Sequence, residues 1–203
     1  MTTSAQTRRW AKTDATQRRI LDAATEVFAT RGFTAATMAD VVAGSGASVG
    51  SIYHHFGGKS ELFLAIFEQM ADAVDRRIEA AMDQAGDATP NHGPQLVDRR
   101  RIFELHVRAY LETMWENRRL ARVLTAGDAP AGFEVARRDR MQAAFRSWMA
   151  VLELDKSLRG QLLSRILVAT MAESSLLVAG CEDADDVPPI IDATIEWIDR
   201  LIR

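Results

Sequence analysis

Two short helical segments folded over one glycine, between Thr37 and Phe56, constrain this chain more than any other stretch. Thr37 and Asp40 have the spacing of a reciprocal N-terminal cap, and they open a helix whose inward candidates are Met38, Val41 and Val42. Gly44-Ser45-Gly46 breaks that helix. A tight turn between steeply crossing helices needs a residue with positive φ, and Gly46 supplies one. Ser48 caps the next helix, which runs to about His55. Within it Ile52 and Phe56 lie four residues apart and face inward, so Val49, Gly50, Ser51, Tyr53 and His54 are left facing outward, at least in part.

The chemistry of that outward face is unusual. From Val41 to Ser60 there is no Asp or Glu, although 26% of the chain is charged. A surface that lies against phosphates excludes carboxylates, whereas a solvated helix pair ordinarily carries several. Gly50 and Ser51 are poor helix formers on an exposed face, and they make sense if that face presses closely on another surface. Gly57-Gly58-Lys59 opens the following helix; a lysine in a first turn opposes the helix dipole, but with bare backbone amides beside it the same lysine makes a phosphate seat. Residues 1–60 carry a net charge of +3 and the remainder −6, so a basic head sits on an acidic body.

The rest of the chain reads as helix throughout. Residues 1–13 are polar with no apolar period and predict a flexible basic arm bearing Arg8, Arg9 and Lys12, either disordered or in contact with phosphate. The first helix is expected from near Asp14, with Leu21, Ala24, Val27 and Phe28 on one face and an end at Arg31-Gly32-Phe33. A connecting helix over 59–84 carries Leu62, Ile66, Met70, Val74, Ile78 and Met82. Each four-residue step overshoots a turn by about 40°, so its apolar line passes from one core to another. Further helices are predicted over 96–117, 119–125, 132–153, 157–180 and 188–202. The last two are apolar on more than one face, and a second copy of the chain is the simplest cover. The fold class is all-α, with a head over 14–60 and a helical body over 61–203.

Composition closes off other classes. One cysteine, Cys181, excludes an intramolecular disulfide framework and fits a reducing compartment. Leu162 to Cys181 contains Arg165 and Glu173 and reads as a buried helix and not a membrane span, so a cytoplasmic protein is expected. The four histidines and single cysteine form no metal or catalytic motif, and neither a glycine-rich nucleotide loop nor a serine elbow is present; no cofactor, metal or catalytic residue is expected.

Thr37, Gly46-Ala47-Ser48, Gly50-Ser51-Ile52-Tyr53, His54-His55-Phe56 and Lys59-Ser60-Glu61-Leu62, together with Phe28, Gly32 and Phe33, resemble the motif of TetR/AcrR-type bacterial transcriptional regulators. The likeness covers about the first 65 residues. It departs at Ala47, where Val is usual, at Gly58, where Ser or Asn is common, and at Val49, where a polar or basic residue is frequent. The resemblance implies a homodimer that binds a palindromic DNA operator, usually as a repressor, until a small molecule enters the C-terminal domain. Carried over by position, it puts Thr37, Ser48, Tyr53, His54 and Lys59 on phosphates, and Val49, Gly50 and Ser51 at base edges, Val49 against a thymine methyl. A mostly apolar effector would be held by Phe103, His106, Tyr110, Met114, Phe145, Trp148 and Met171, side chains that at helical spacing can equally be plain core. Dimerisation would run through about 157–180 and 188–202. An activator of the same family, or a helical enzyme, is the alternative.

Overall fold

The computed structural model describes the backbone of residues 3–87, 96–151, 155 and 157–202, and the side chains of 14–84, 101–144, 146, 155 and 157–202. Among the described residues there are nine α-helices, one 3-10 turn at Ala184–Asp186, and no strand. The helices are α1 (Thr3–Ala35), α2 (Met38–Ser45), α3 (Val49–Phe56), α4 (Lys59–Asp87), α5 (Leu96–Glu116), α6 (Arg118–Thr125), α7 (Phe133–Val151), α8 (Leu158–Gly180) and α9 (Val187–Ile202). α1 already runs from Thr3, so the backbone expected as a loose arm is helical; Ala, Gln, Arg and Lys form helix well without an apolar period. The chain divides into two compact units: one holds Met1–Gln69 with Arg122–Phe133, the other Met70–Ala121 with Glu134–Arg203.

In the first unit, Ile20, Ala24 and Phe28 of α1 are buried with Val41 of α2, Ile52 of α3, and Leu62, Phe63 and Ile66 of α4. Aromatic rings tie the pieces together. Phe63 lies 5.6 Å from Phe28, 5.4 Å from Phe33 and 5.2 Å from Phe133, centroid to centroid, and Phe67 lies 5.4 Å from Phe133. These tilted and edge-on contacts add to the burial of large apolar area. Phe133 belongs to a segment that leaves the second unit after Ala121 and returns to it at Glu134.

The turn joining α1 to α2 is held from both sides. Gly32 breaks α1 with φ 75°, and a Cβ placed there would come within 2.5 Å of the Asp128 carboxylate. Asp128 accepts from the Thr34 amide at 2.9 Å and from the Thr34 hydroxyl at 2.5 Å. On the carbonyl side, Lys59 Nζ donates to Phe33 O at 2.8 Å, Thr34 O at 3.2 Å and Ala36 O at 2.9 Å, and it sits 4.5 Å from the Phe33 ring centre. An ammonium has three protons, and all three end on backbone carbonyls.

In the second unit α5 packs on α8 and α9, and α8 packs on α9. Leu167, Met171 and Val178 of α8 are buried with Val107 and Leu111 of α5 and Ile191 and Ile198 of α9. Two polar pairs run through this core: Thr194 donates to Ser174 at 2.9 Å, and the Tyr110 hydroxyl pairs with Ser175, burial pushing its pKa up. Arg77 of α4 reaches Glu112 at 3.0 Å and Glu116 at 3.1 Å on α5, bridging the two helices at their exposed edge.

The three charge-assisted bonds of Lys59 predict that Lys59→Met, which keeps the stem and removes the donors, lowers unfolding stability by about 2 kcal/mol. Urea denaturation followed by circular dichroism checks it; an unchanged midpoint would show that the carbonyls are as well served by water.

Candidate nucleic-acid interface

The outward face of the first unit is assembled by three local caps. Thr37 precedes α2 in extended conformation, and its hydroxyl oxygen accepts from Asp40 N at 3.2 Å. In return the Asp40 carboxylate accepts from Thr37 N at 3.0 Å and from the Thr37 hydroxyl at 2.7 Å. The Thr37 hydroxyl and amide hold the Asp40 pKa below its ordinary value, and Arg31 at 3.3 Å adds to this. Gly46 closes α2 with φ 63° and ψ 13°, its amide donating to Val42 O at 2.9 Å, in the left-handed geometry the sequence requires there. Ser48 then caps α3, accepting from Ser51 N at 3.1 Å.

These caps fix which side of α3 faces out. Ile52 is fully buried and Phe56 half-buried. Val49 is 51% exposed and Tyr53 49%, Gly50 and His54 are exposed, and Ser51 is half-buried. Gly50 is the informative residue. A Cβ built on it meets nothing within 4 Å, so nothing in the fold demands glycine at that position. Glycine in a helix costs about 0.5–1 kcal/mol relative to alanine. A stability cost without a packing reason points to something outside the chain that must come close. His54 and His55 stack edge to face at 5.3 Å, His55 being the more covered of the two.

Of the residues assigned to this face, Thr37, Ser48, Val49, Gly50, Ser51, Tyr53 and His54 share it, at the start of α2 and along α3. Two assignments change character. The Thr37 hydroxyl spends its proton on Asp40. Lys59, expected as a phosphate seat, is turned inward with all three donors on the turn after α1. That placement has a physical cause: Lys59 reaches the carbonyl end of the turn, where a cation is favoured. Sequence reading missed Asp128 and Thr34 altogether. They lie 94 positions apart and no local pattern links them.

The expected effector residues divide. Phe103, Met114 and Met171 are buried core. His106 is half-buried with Nδ1 at 2.7 Å from Ile102 O, a contact that requires the proton on Nδ1. Tyr110 pairs with Ser175 as above. The side chains of Phe145 and Trp148 lie outside the described residues. An open groove of about 660 Å³ lies elsewhere, between α5 and α9, and is lined by Arg101, Glu104, Arg108, Asp192, Glu196 and Arg200 among others. Arg108 is paired with Asp192 at 2.7 Å across it, so the groove is charged and does not suit an apolar molecule. Among the described residues no group of three or more His, Cys, Asp or Glu is placed to hold a metal ion.

Comparison with known proteins agrees with this geometry. The profile of the bacterial regulatory proteins of the tetR family matches residues 20–66. The chain is 39% identical over 70 residues to the HTH-type transcriptional regulator YfiR of Bacillus subtilis, a stretch covering 34% of each protein. It is 36% identical over 76 residues to an HTH-type transcriptional repressor of Mycobacterium tuberculosis, covering 36% of this chain and 40% of that one. The chain thus spans well under half the length of these curated relatives. The fold extends further. The transcriptional regulator FadR from Bacillus subtilis, solved with stearoyl-CoA, superposes with a TM-score of 0.69 at 16% identity, covering 89% of this chain and 96% of that one. Residues 20–66 thus match the tetR family of bacterial regulatory proteins in sequence, and the fold of nearly the whole chain is that of solved TetR-like regulators.

Proposed function

We propose that this chain is a DNA-binding transcriptional regulator, a repressor that binds a palindromic operator as a homodimer and is released by a small, mostly apolar effector. The observation that carries the reading is the outward face of α3: free of carboxylates, exposed at Val49 and Tyr53, and open at Gly50 where a side chain would cost the fold nothing. In a major groove, Gly50 and Ser51 let the helix backbone approach the base edges and Val49 meets a thymine methyl. Ser48 accepts a bond within the protein, which leaves its hydroxyl proton for a phosphate oxygen. Tyr53 and His54 add further donors at the same edge. Lys59 contributes by holding the turn behind α2 and not by touching phosphate.

A homodimer is supported by α8 and α9. Their outer faces show Leu158, Leu162, Leu177 (63% exposed), Trp197 (60% exposed) and Leu201, an apolar surface of the kind that another copy covers. α8 is also long and apolar enough to cross a membrane, yet it carries Arg159, Arg165 and Glu173, and its other face is packed on α5 and α9. A partner of the same kind, in the cytoplasm, is the better cover.

Both curated relatives are named transcriptional regulators, which supports a regulator over a helical enzyme, and one is named a repressor. The acyl-CoA complex of FadR supports an apolar effector here. Such a molecule would have to part the Phe103, Tyr110, Met114 and Met171 packing of the second unit, and α4, whose residues belong to both units, would pass the change on. DNA fixes the spacing of half-sites, so a small change in the separation of two α3 helices suffices for release.

Gly50→Ala tests the reading directly. The variant should melt no lower than the parent, while its affinity for a selected palindromic duplex, measured by fluorescence anisotropy, should fall at least about tenfold. Equal affinity would remove α3 from the interface. Leu177→Asp should sediment as a monomer and bind the duplex weakly; a variant that stays dimeric places the interface elsewhere.

A further inference from the structure

We propose that Asp128, in the loop between α6 and α7, is a positioning residue for DNA binding, bracing the turn that aims α2 and α3. This rests on the functional reading above and adds a residue to it that lies outside the helix–turn–helix. The loop is an excursion of the chain into the first unit, Arg122–Phe133, between two stretches of the second. Its Asp128 carboxylate accepts from the Thr34 amide at 2.9 Å and the Thr34 hydroxyl at 2.5 Å, and the Phe33 amide also bonds to it. Lys59 meanwhile takes the carbonyls of Phe33, Thr34 and Ala36.

The turn from Gly32 to Ala36 is therefore a single helical turn with an anion at its amide end and a cation at its carbonyl end, the arrangement its dipole favours. Each charge comes from a different place in the chain. Lys59 starts α4 immediately beyond α3, so it ties the end of α3 to the beginning of α2. Asp128 ties the same turn to the excursion anchored by Phe133 against Phe63 and Phe67. Gly32 records the closeness of the fit, since any Cβ there would strike the Asp128 carboxylate. The angle at which the chain leaves α1 for Thr37 depends on this brace, and with it the presentation of Ser48, Gly50 and Tyr53. None of the brace reaches the outward face of α3, so its loss should change affinity without changing the number of phosphates contacted.

The test uses the full chain and a palindromic duplex selected with the parent protein. Asp128→Ala should lower affinity about tenfold at fixed salt, with the slope of log affinity against log salt unchanged. Asp128→Asn, which keeps an acceptor oxygen, should recover part of the loss, and Thr34→Val, which removes only the hydroxyl, should show a smaller one. Hydrogen exchange at the Phe33 and Thr34 amides should quicken in Asp128→Ala. If Asp128→Ala loses helical content, Asp128→Asn and Thr34→Val decide the matter. Affinity within twofold of the parent despite quickened exchange overturns the proposal, and so does a salt slope that rises or falls by a full contact. A parent protein that binds no duplex overturns the functional reading with it, and the exchange arm then still reports whether the brace exists.

Discussion

The five residues from Gly32 to Ala36 lead from α1 to α2, and an ion on each side holds them. Without Lys59 three carbonyls face the start of α4 unpaired, and without Asp128 the amides at the other end lose their acceptor. The aromatic cluster of Phe28, Phe33, Phe63 and Phe133 supplies the apolar ground on which this polar turn rests. Neither would suffice alone. Ring packing is tolerant of small rotations, whereas directed hydrogen bonds at both ends of one turn are not.

Stability and exposure are separated in α3. Its inward residues, Ile52 and Phe56, hold it to the head, and its caps at Ser48 and Gly57 satisfy its ends. On the outer face, Gly50 has no neighbour that a side chain would meet, so the fold has room for a side chain that the sequence withholds. The second unit repeats the separation on a larger scale: α8 buries Leu167, Met171 and Val178 inward and shows Leu158, Leu162 and Leu177 outward.

Much of the head was legible because its determinants are local. The Thr37–Asp40 box, the left-handed Gly46 and the Ser48 cap each act over three or four residues, and each stands where the spacing predicted. Helix limits in the body were equally readable from apolar period and from the opening at Pro188-Pro189. What escaped is non-local or electrostatic in direction. Lys59 at a helix start suggests a cation aimed at solvent, and only the folded chain shows three carbonyls beneath it. Asp128 has no sequence signal at all, since its partner is in α1. The start of α1 at Thr3 was not legible because a polar run without apolar period fits both coil and solvated helix. For the effector residues, buried Phe and Met at helical spacing describe a core and a closed pocket equally well.

The most direct measurement is a chemical footprint. The purified protein would be bound to duplexes selected from a random library, and guanine N7 and backbone protection mapped. Insertion of α3 from two subunits predicts a palindromic consensus, with two major-groove sites protected on one face of the duplex, about one helical turn or a small multiple apart. Protection spread evenly along every sequence, or confined to the minor groove, would contradict it.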